Sequence, residues 1–568
     1  MSWIDWVVLT CTILFIVVYG IYKSRGSKNI DSYLLGDRSL PWYHVGLSVM
    51  ATQASAITFL SAPGLAYSDG MRFVQFYFGL PLAMIILCVT FVPIYHKLRV
   101  YTAYEFLEQR FDLKTRAFTA FLFLIQRGLS TGITIYAPSI ILSTILDINS
   151  TYTTLFIGSV VILYTVYGGT KAVSYTQMLQ MSIIFCGMFL AGFMVVKLLP
   201  DSVGFTKALA IAGKMDKMNV IDWKFDLNNR YTVWTGIIGG LFLQLSYFGT
   251  DQSQVGRYLT GSSVGQSRMG LLMNAMLKIP MQFLILLIGV LVFTFYQYQK
   301  PPVFFNTYEL NKIENSSYAA EFKDRAQDFD LAFADKNLKV IALENALNNE
   351  QGITEASTAV KNANENLKQK RADALAVMKK NDKDADLDDT NYIFLSFVTK
   401  YLPKGLIGLL IAIVCMASMG STASALNSLA STTSVDIYKR LINKTGTDLK
   451  YLNISKLTTL FWGVISVGMA LFASKLGNLL EAVNILGSLF YGTILGIFLV
   501  AFYFKAIGAK AVFYAAIATE ILVFIAYKYD WMAYLWLNLF GCVLVIVIGF
   551  LLQAIFKPTE NIKIEKQD

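Results

Sequence analysis

The sequence predicts an all-α polytopic membrane protein, and three observations predict it. The 568-residue chain is 55% hydrophobic and only 15% charged, with a mean hydropathy of +0.51, a balance too apolar for a soluble chain of this length. About 13 apolar runs reach bilayer-spanning length, near residues 7–22, 45–66, 73–95, 117–146, 152–170, 174–199, 232–255, 270–298, 404–430, 457–475, 481–504, 511–527 and 532–556. Several of these runs also carry hydroxyl and amide side chains that hydrocarbon would not accept, so those faces turn toward protein or an internal cavity.

Taken in order, the first run is followed by Lys23, Arg25 and Lys28 with no small-residue cleavage site, and reads as a retained span whose N-terminus lies outside. The odd number of spans puts the C-terminus inside, and the charges agree. Lys97, Arg99, Arg110, Lys114, Arg116, Lys171, Arg257, Arg268, Lys439, Arg440, Lys444, Lys450, Lys456, Lys505, Lys510 and the lysine-bearing tail after Phe556 fall on one side, which the positive-inside rule makes cytoplasmic. This accounts for the net charge of +10 without a basic stripe on a soluble domain, so no nucleic-acid partner is expected. Between 299 and 390 the composition turns polar and Ala-rich. Residues 319–349 and 355–380 read there as two helices outside the membrane, broken near Gly352, in a solvated insertion with no direct part in the chemistry of the spans. The tail after Phe556 reads as disordered.

The segment 51–64, ATQASAITFLSAPG, organises the rest. It carries Thr52, Gln53, Ser55, Thr58 and Ser61 and ends in Pro63-Gly64, the pattern of an interrupted helix lining a site. A second segment, 243–256, starts apolar, breaks at Gly249-Thr250-Asp251-Gln252 and resumes. Two interrupted spans in corresponding places of two halves point to a transporter site at the midplane. A third segment, 415–434, is almost all Ala, Ser, Thr and Gly, which suits close helix packing and equally suits oxygens that replace the water around a small cation. The five cysteines sit inside apolar runs without a CxxC pair, and His44 and His96 stand alone, so neither a disulfide framework nor a metal cluster is implied. No Ser/His/Asp set or phosphate-cradling loop suggests an enzyme.

The strings Ser48-Val-Met-Ala51-Thr-Gln-Ala54-Ser, Tyr104-Glu-Phe-Leu-Glu-Gln-Arg-Phe111, Tyr167-Gly-Gly-Thr-Lys-Ala-Val173, Gln252-Ser-Gln-Val-Gly-Arg257-Tyr and Leu426-Asn427-Ser428 with Asp436-Ile-Tyr438 resemble, as a set, the sodium/solute symporter family. The resemblance implies a LeuT-type five-plus-five inverted repeat. Its first half would be 45–199 and its second 232–504, the latter containing the 299–390 insertion. Around them stand an N-terminal span and loop (1–44), an outer loop (200–231), two C-terminal spans (505–556) and a tail (557–568). It also implies a sodium site on the carbonyls of Ala51, Ala54 and Ala417 and the hydroxyl of Ser421, with Gly420 standing where relatives often have Ser. The sugar-carrying relatives imply solute contacts at Thr58, Tyr77, Gln244, Lys278 and Asn484, with Tyr247 as an inner aromatic gate. Tyr77 replaces the Glu of sugar carriers, and the stretch from Gln126-Arg127-Gly128 to Tyr136-Ala-Pro138-Ser139 is more similar to the branch that carries vitamins, monocarboxylates and other anions.

Arg127 is open to three readings: it binds an anionic solute, it pairs internally with Asp251 as the natural partner, or it anchors toward the cytoplasm. Relatives with a second sodium site have an Asp where this chain has Gln177 and a hydroxyl where it has Ala423, so one sodium per solute is expected. The functional expectation is a sodium-coupled symporter of a small organic solute such as a sugar, a sugar acid or another small carboxylate. It is expected to work by alternating access, as a monomer among lipids, in a cell membrane of bacterial inner-membrane type. The alternative is a membrane sensor that keeps the fold, which would carry a signalling domain where this chain has a dozen residues after Phe556.

Overall fold

The computed structural model describes residues 1–24, 35, 38–146, 148–383 and 385–556, and within its helices leaves aside the side chains of 17, 21, 23, 24, 164, 167–172 and 474. The basic segment 25–34 and the tail 557–568, each given a reading above, lie outside the described residues. Helix follows helix throughout: α1 (Trp3–Ser24), α2 (Trp42–Gln53), α3 (Ala56–Asp69), α4 (Met71–Leu98), α5 (Glu105–Arg110), α6 (Leu113–Leu146), α7 (Ser150–Lys197), α8 (Phe205–Lys214), α9 (Thr235–Gly249) and α10 (Gln252–Tyr258). After them come α11 (Val264–Tyr298), α12 (Thr307–Glu314), α13 (Ala319–Asn349), α14 (Ile353–Asn381), α15 (Thr390–Tyr401), α16 (Leu406–Ile442), α17 (Asp448–Ala470), α18 (Leu479–Tyr503), α19 (Ala509–Lys528) and α20 (Tyr534–Ile555).

Among the described residues nine helices are long and apolar enough to cross a bilayer, or ten when α2 and α3 count as one bent span; 150–163 and α9 are shorter apolar helices. Several expected spans differ in their limits. Those expected at 152–170 and 174–199 run together as α7, and the one expected at 457–475 starts earlier, as α17, because Thr447 caps it by accepting from the Lys450 amide.

The bundle closes through small residues, as helices must where lipid offers no hydrophobic drive for association. A Cβ on Gly46 would lie 2.9 Å from the Gly270 carbonyl oxygen, and one on Gly289 would lie 2.2 Å from that of Pro63, so α11 runs alongside both α2 and α3. The two broken helices run in opposite directions. Leu40, just before α2, exchanges backbone bonds with Thr260 and Ser262 just after α10; at the other end Gln75 donates to the Tyr231 carbonyl and the Gly79 amide to that of Gly236. Antiparallel broken helices are what an inverted repeat requires.

The two ends of the bundle have different chemistry. At one end Arg116 pairs with Glu108 at 2.7 Å and with Asp436 at 2.6 Å, Arg440 pairs with Glu108, and Arg110 donates to the carbonyls of Lys505 and Ile507. The two guanidinium groups hold the Glu108 carboxyl below its usual range against the opposing effect of burial. At the other end α13 and α14 form a helical hairpin on top of α8 and α11: Tyr298 donates to Glu344, Asn337 to the Gln297 carbonyl and Ser357 to that of Lys214. Arg371 of the hairpin pairs with buried Asp389 at 2.5 Å, and Asp389 also accepts from the Phe305 amide. Asp389 stands at the start of α15, which lies against α3 so closely that a Cβ on Gly64 would meet the Thr390 carbonyl at 1.8 Å.

Candidate solute and sodium site

The break between α2 and α3 bends the chain by 58°. Ala54 (ψ 77°) and Ser55 (ψ 176°) leave the helical region. The Ser55 amide turns to the Gln53 carbonyl and the Thr58 amide to that of Ser55. Those two amides would otherwise bond to Ala51 and Ala54, so the carbonyls of Ala51 and Ala54 fall out of the helical ladder. In the second broken helix Thr250 and Asp251 are non-helical, and Asp251 caps α10 by accepting from the Ser253 amide at 2.8 Å.

α16 packs against both α2 and α3, and Thr52 donates to Ser424 across that contact at 3.3 Å. Ala417 and Ser421 come together there, with the Ser421 hydroxyl donating to the Ala417 carbonyl at 2.9 Å. Gln177 of α7 ties the helices at this level: its amide nitrogen donates to Thr52 Oγ1 (3.2 Å), the Gly420 carbonyl (3.2 Å) and Ser424 Oγ (3.0 Å), while its oxygen accepts from Ser48 (2.7 Å). An amide nitrogen thus stands among three oxygens, where its two hydrogens supply the positive charge those oxygens face. Gly420 is small because Gln180 and Gln177 press against it; a Cβ there would lie 2.7 Å from Gln180 Oε1.

The residues singled out for the solute fall into separate groups. Gln53 and Gln244 meet across the two breaks at 3.4 Å, and among the described residues Gln53 Oε1 and Gln244 Nε2 have no partner. Arg127 pairs with Asp251; it also donates to Tyr491 Oη at 3.3 Å, and the Tyr491 hydroxyl donates to Asp251 at 2.8 Å. Tyr247 belongs to this group: its ring lies under the Arg127 guanidinium at 5.5 Å and its hydroxyl accepts from Gln254 at 2.7 Å. Of the three readings of Arg127, the structure displays the internal pair.

Lys278 is fully buried on α11, 5.6 Å from the centre of the Tyr77 ring, and its ammonium has no hydrogen-bond partner among the described residues. Asn274 and Gln282, one helical turn to either side, are also fully buried, and among the described residues neither amide atom of either has a partner. Thr58 is buried on α3, one turn past the break. Asn484 is half-buried near the start of α18 and donates back to its own helix at the Leu480 carbonyl, apart from Gln244 and Lys278. Gln53, Asn274, Gln282 and Tyr491 were not among the expected solute residues. For Asn274 and Gln282 the signal was present, since both lie four residues from Lys278 in an apolar run; for Tyr491 there was none.

Two opposed broken helices, exposed carbonyls beside a hydroxyl-rich helix, and buried polar groups awaiting partners describe a transport site. The family model described as the sodium:solute symporter family matches residues 33–307 and 372–519, which leaves out most of the helical hairpin. The chain belongs to the sodium:solute symporter family. It is a sodium-coupled symporter of a small solute and not an enzyme. The symporter is 24% identical to the sodium/sialic acid symporter SiaT of Proteus mirabilis over all of this chain and 98% of that one. It is 27% identical to sodium-coupled monocarboxylate transporter 1 of Xenopus laevis over 87% of this chain and 67% of that one, and 25% identical to the sodium/glucose cotransporter of Vibrio parahaemolyticus over 91% and 84%. Its fold matches that of a sodium-coupled sialic acid symporter solved in a substrate-bound outward-open state, with a TM-score of 0.75, 22% identity and coverage of 98% and 99%. That likeness makes the architecture LeuT-like.

Proposed function

We propose that the symporter takes up a small organic anion with sodium, one sodium per solute, at the level of the two helix breaks. The observation that carries the solute's charge is Lys278. A buried ammonium without a carboxylate is expensive, and a solute acid group would supply the missing charge, while Asn274, Gln282, Gln53 and Gln244 offer donors and acceptors to its other polar groups. The relatives named for sialic acid and for monocarboxylates support an acidic solute, whereas Tyr77 beside Lys278 removes the carboxylate that sugar carriers have. Thr58 and Tyr247 line the same level, and Asn484 and Arg127 border it.

The sodium site of this proposal consists of the carbonyls of Ala51, Ala54 and Ala417 and the Ser421 hydroxyl, beside Gly420. With the arginine-rich end taken as cytoplasmic, the N-terminus and the hairpin lie outside. The symporter then works as a monomer in the inner membrane of a bacterial cell.

The test is uptake into proteoliposomes of matched pairs, each a small carboxylic acid and its primary amide, under an inward sodium or potassium gradient. The proposal predicts sodium-driven uptake of an acid and not of its amide. Uptake of amide and acid alike would contradict the charge assignment, and uptake independent of sodium would contradict the coupling.

A further inference from the structure

At the arginine-rich end two cavities lie side by side, and their charges differ. One, of about 450 Å³, is lined by Arg116, Lys439 and Arg440 together with Glu105 and Glu108, so acids answer its cations. The other, of about 840 Å³, shares Tyr101 with it and carries Arg38, Lys97 and Arg99 beside His96, Ser262 and Ser263, with no carboxylate among the described residues of its wall. Lys97 and Arg99 are exposed. Arg38 donates to the carbonyls of Arg99 at 3.0 Å and Val100 at 2.9 Å, which fixes a second guanidinium beside the first. Cations at this end would satisfy orientation anywhere on its surface. Gathered around one cavity they repel one another unless an anion enters.

The donors around the cavity give the class of anion. α11 begins at its rim, where Ser263 caps the helix by accepting from the Gln266 amide at 3.3 Å. The first amides of the helix, those of Val264 and Gly265, have no carbonyl within it to bond to. Free amides and the positive end of a long helix attract oxyanions, and a guanidinium meets a phosphate through two parallel bonds. The donors come from three segments: the stretch before α2, the end of α4 and the start of α11. Such a spread suits the tetrahedral oxygens of a phosphate better than the two oxygens of a planar carboxylate. The cavity also lies on the seam between the halves. Lys97 and Arg99 close α4 in the first half, 262–264 open α11 in the second, and His96 already bonds to Ser267 across the seam at 2.8 Å.

We propose that this cavity binds a phosphate group, supplied by the headgroup of an anionic lipid or by a soluble phosphate, and that the bound group ties α4 to α11. The proposal is independent of the solute and sodium sites. Its test is thermal melting of the purified full chain, stripped of lipid, in detergent at fixed sodium. Two probes are used: phosphatidylglycerol against phosphatidylcholine in mixed micelles, and potassium phosphate against potassium chloride at equal ionic strength. At least one probe should raise the melting temperature above its control. Lys97→Gln with Arg99→Asn should raise the half-maximal concentration of that probe about tenfold. Asn suits position 99 because it tolerates the left-handed backbone there (φ 50°). Lys439→Gln, in the acid-balanced cavity, should leave that concentration within about twofold of the parent value. A second measurement decides should the double variant not fold. Ser262→Cys should react with a hydrophilic thiol reagent about fivefold more slowly with the probe present, counted above the parent protein's own cysteines. Phosphatidylglycerol acting alone makes the ligand a lipid headgroup, inorganic phosphate acting alone makes it a soluble phosphate, and action by both makes the phosphate itself the recognised group. The proposal is overturned if neither probe stabilises, if the folded double variant keeps the parent's stabilisation, if Lys439→Gln loses as much as the double variant, or if the thiol at 262 reacts equally with and without the probe.

Discussion

Among the described residues Lys278 and Arg127 both lie within the apolar spans close to the two breaks, one fully buried and the other nearly so, and they differ in company. Arg127 has Asp251, two tyrosines and a neighbouring amide around it, whereas Lys278 has one tyrosine ring and two amides that also lack partners. A compensated ion pair holds structure together, because breaking it strands a charge. An uncompensated one marks the place where a ligand completes the charge balance. The ion pair places Arg127 in the frame that joins α6 to the break in the second broken helix, and the function proposed above gives Lys278 to the solute.

Removing the two charges separately breaks this comparison most forcefully. Arg127→Met strands Asp251 and should cost about 3–5 kcal/mol of stability, read as a large fall in melting temperature in detergent. Arg127→Met with Asp251→Asn should recover most of that loss. Lys278→Met should leave melting unchanged or raise it. If Lys278→Met melts as low as Arg127→Met, Lys278 has an internal partner and the contrast fails.

Coupling sharpens the comparison. One sodium and one monovalent anion carry no net charge, so accumulation should follow the sodium gradient and ignore the membrane potential. A second sodium would add about 2.3 kcal/mol per 100 mV, roughly fifty-fold in accumulation. Valinomycin-imposed potentials on proteoliposomes distinguish these outcomes. Gln177→Ala should leave uptake independent of potential. Gln177→Glu, which replaces the amide among Thr52, Gly420 and Ser424 with a charge, should introduce dependence on it.

The hairpin supplies a comparison outside the membrane. Replacing 310–385 with a Gly/Ser linker, together with Asp389→Asn so that the lost Arg371 strands no carboxylate, should leave the sodium-to-solute ratio intact and lower melting by a few degrees. A changed ratio in a folded protein would make the hairpin part of the transport cycle.

Much of this was legible in the residues, for reasons the structure makes physical. An interruption within 51–64 announced itself because hydroxyls and amides in an apolar run cannot face lipid, though its place at 54–55 did not, since Pro63-Gly64 lie inside α3; Gly249-Thr250-Asp251-Gln252 did so as a polar break in an apolar run. The Arg127–Asp251 pair was legible only as one of three readings, since sequence does not say which of several polar groups meet. Gln177 appeared in the sequence as a missing carboxylate. In the structure it is a donor that holds three oxygens, a role that depends on the approach of α2 and α16. The link between α15 and α3 at Thr390 and Gly64 depends likewise on helix packing that no local pattern encodes.

A pH-dependent effect belongs to Lys336, buried in the hairpin against the Phe333 ring at 4.9 Å, where loss of solvent lowers its amine to about 7. Its folded value lies below its unfolded one, so the unfolded hairpin holds the extra proton between about pH 7 and 10.4. Stability should therefore rise with pH across that window, by at most about 1.4 kcal/mol per pH unit, and Lys336→Met should flatten the rise. Thermal melts across this range in wild type and variant measure it.

The central claim is that the solute's acid group sits on Lys278. Its most direct test is binding, by thermal shift in sodium and in potassium, of an organic acid that the symporter transports and of that acid's primary amide, to wild type and to Lys278→Met. The account predicts that wild type is stabilised by the acid only with sodium present, and that Lys278→Met loses at least a hundredfold in affinity for the acid, about 2.7 kcal/mol, with no loss for the amide. Equal binding of the acid by Lys278→Met and wild type would contradict it.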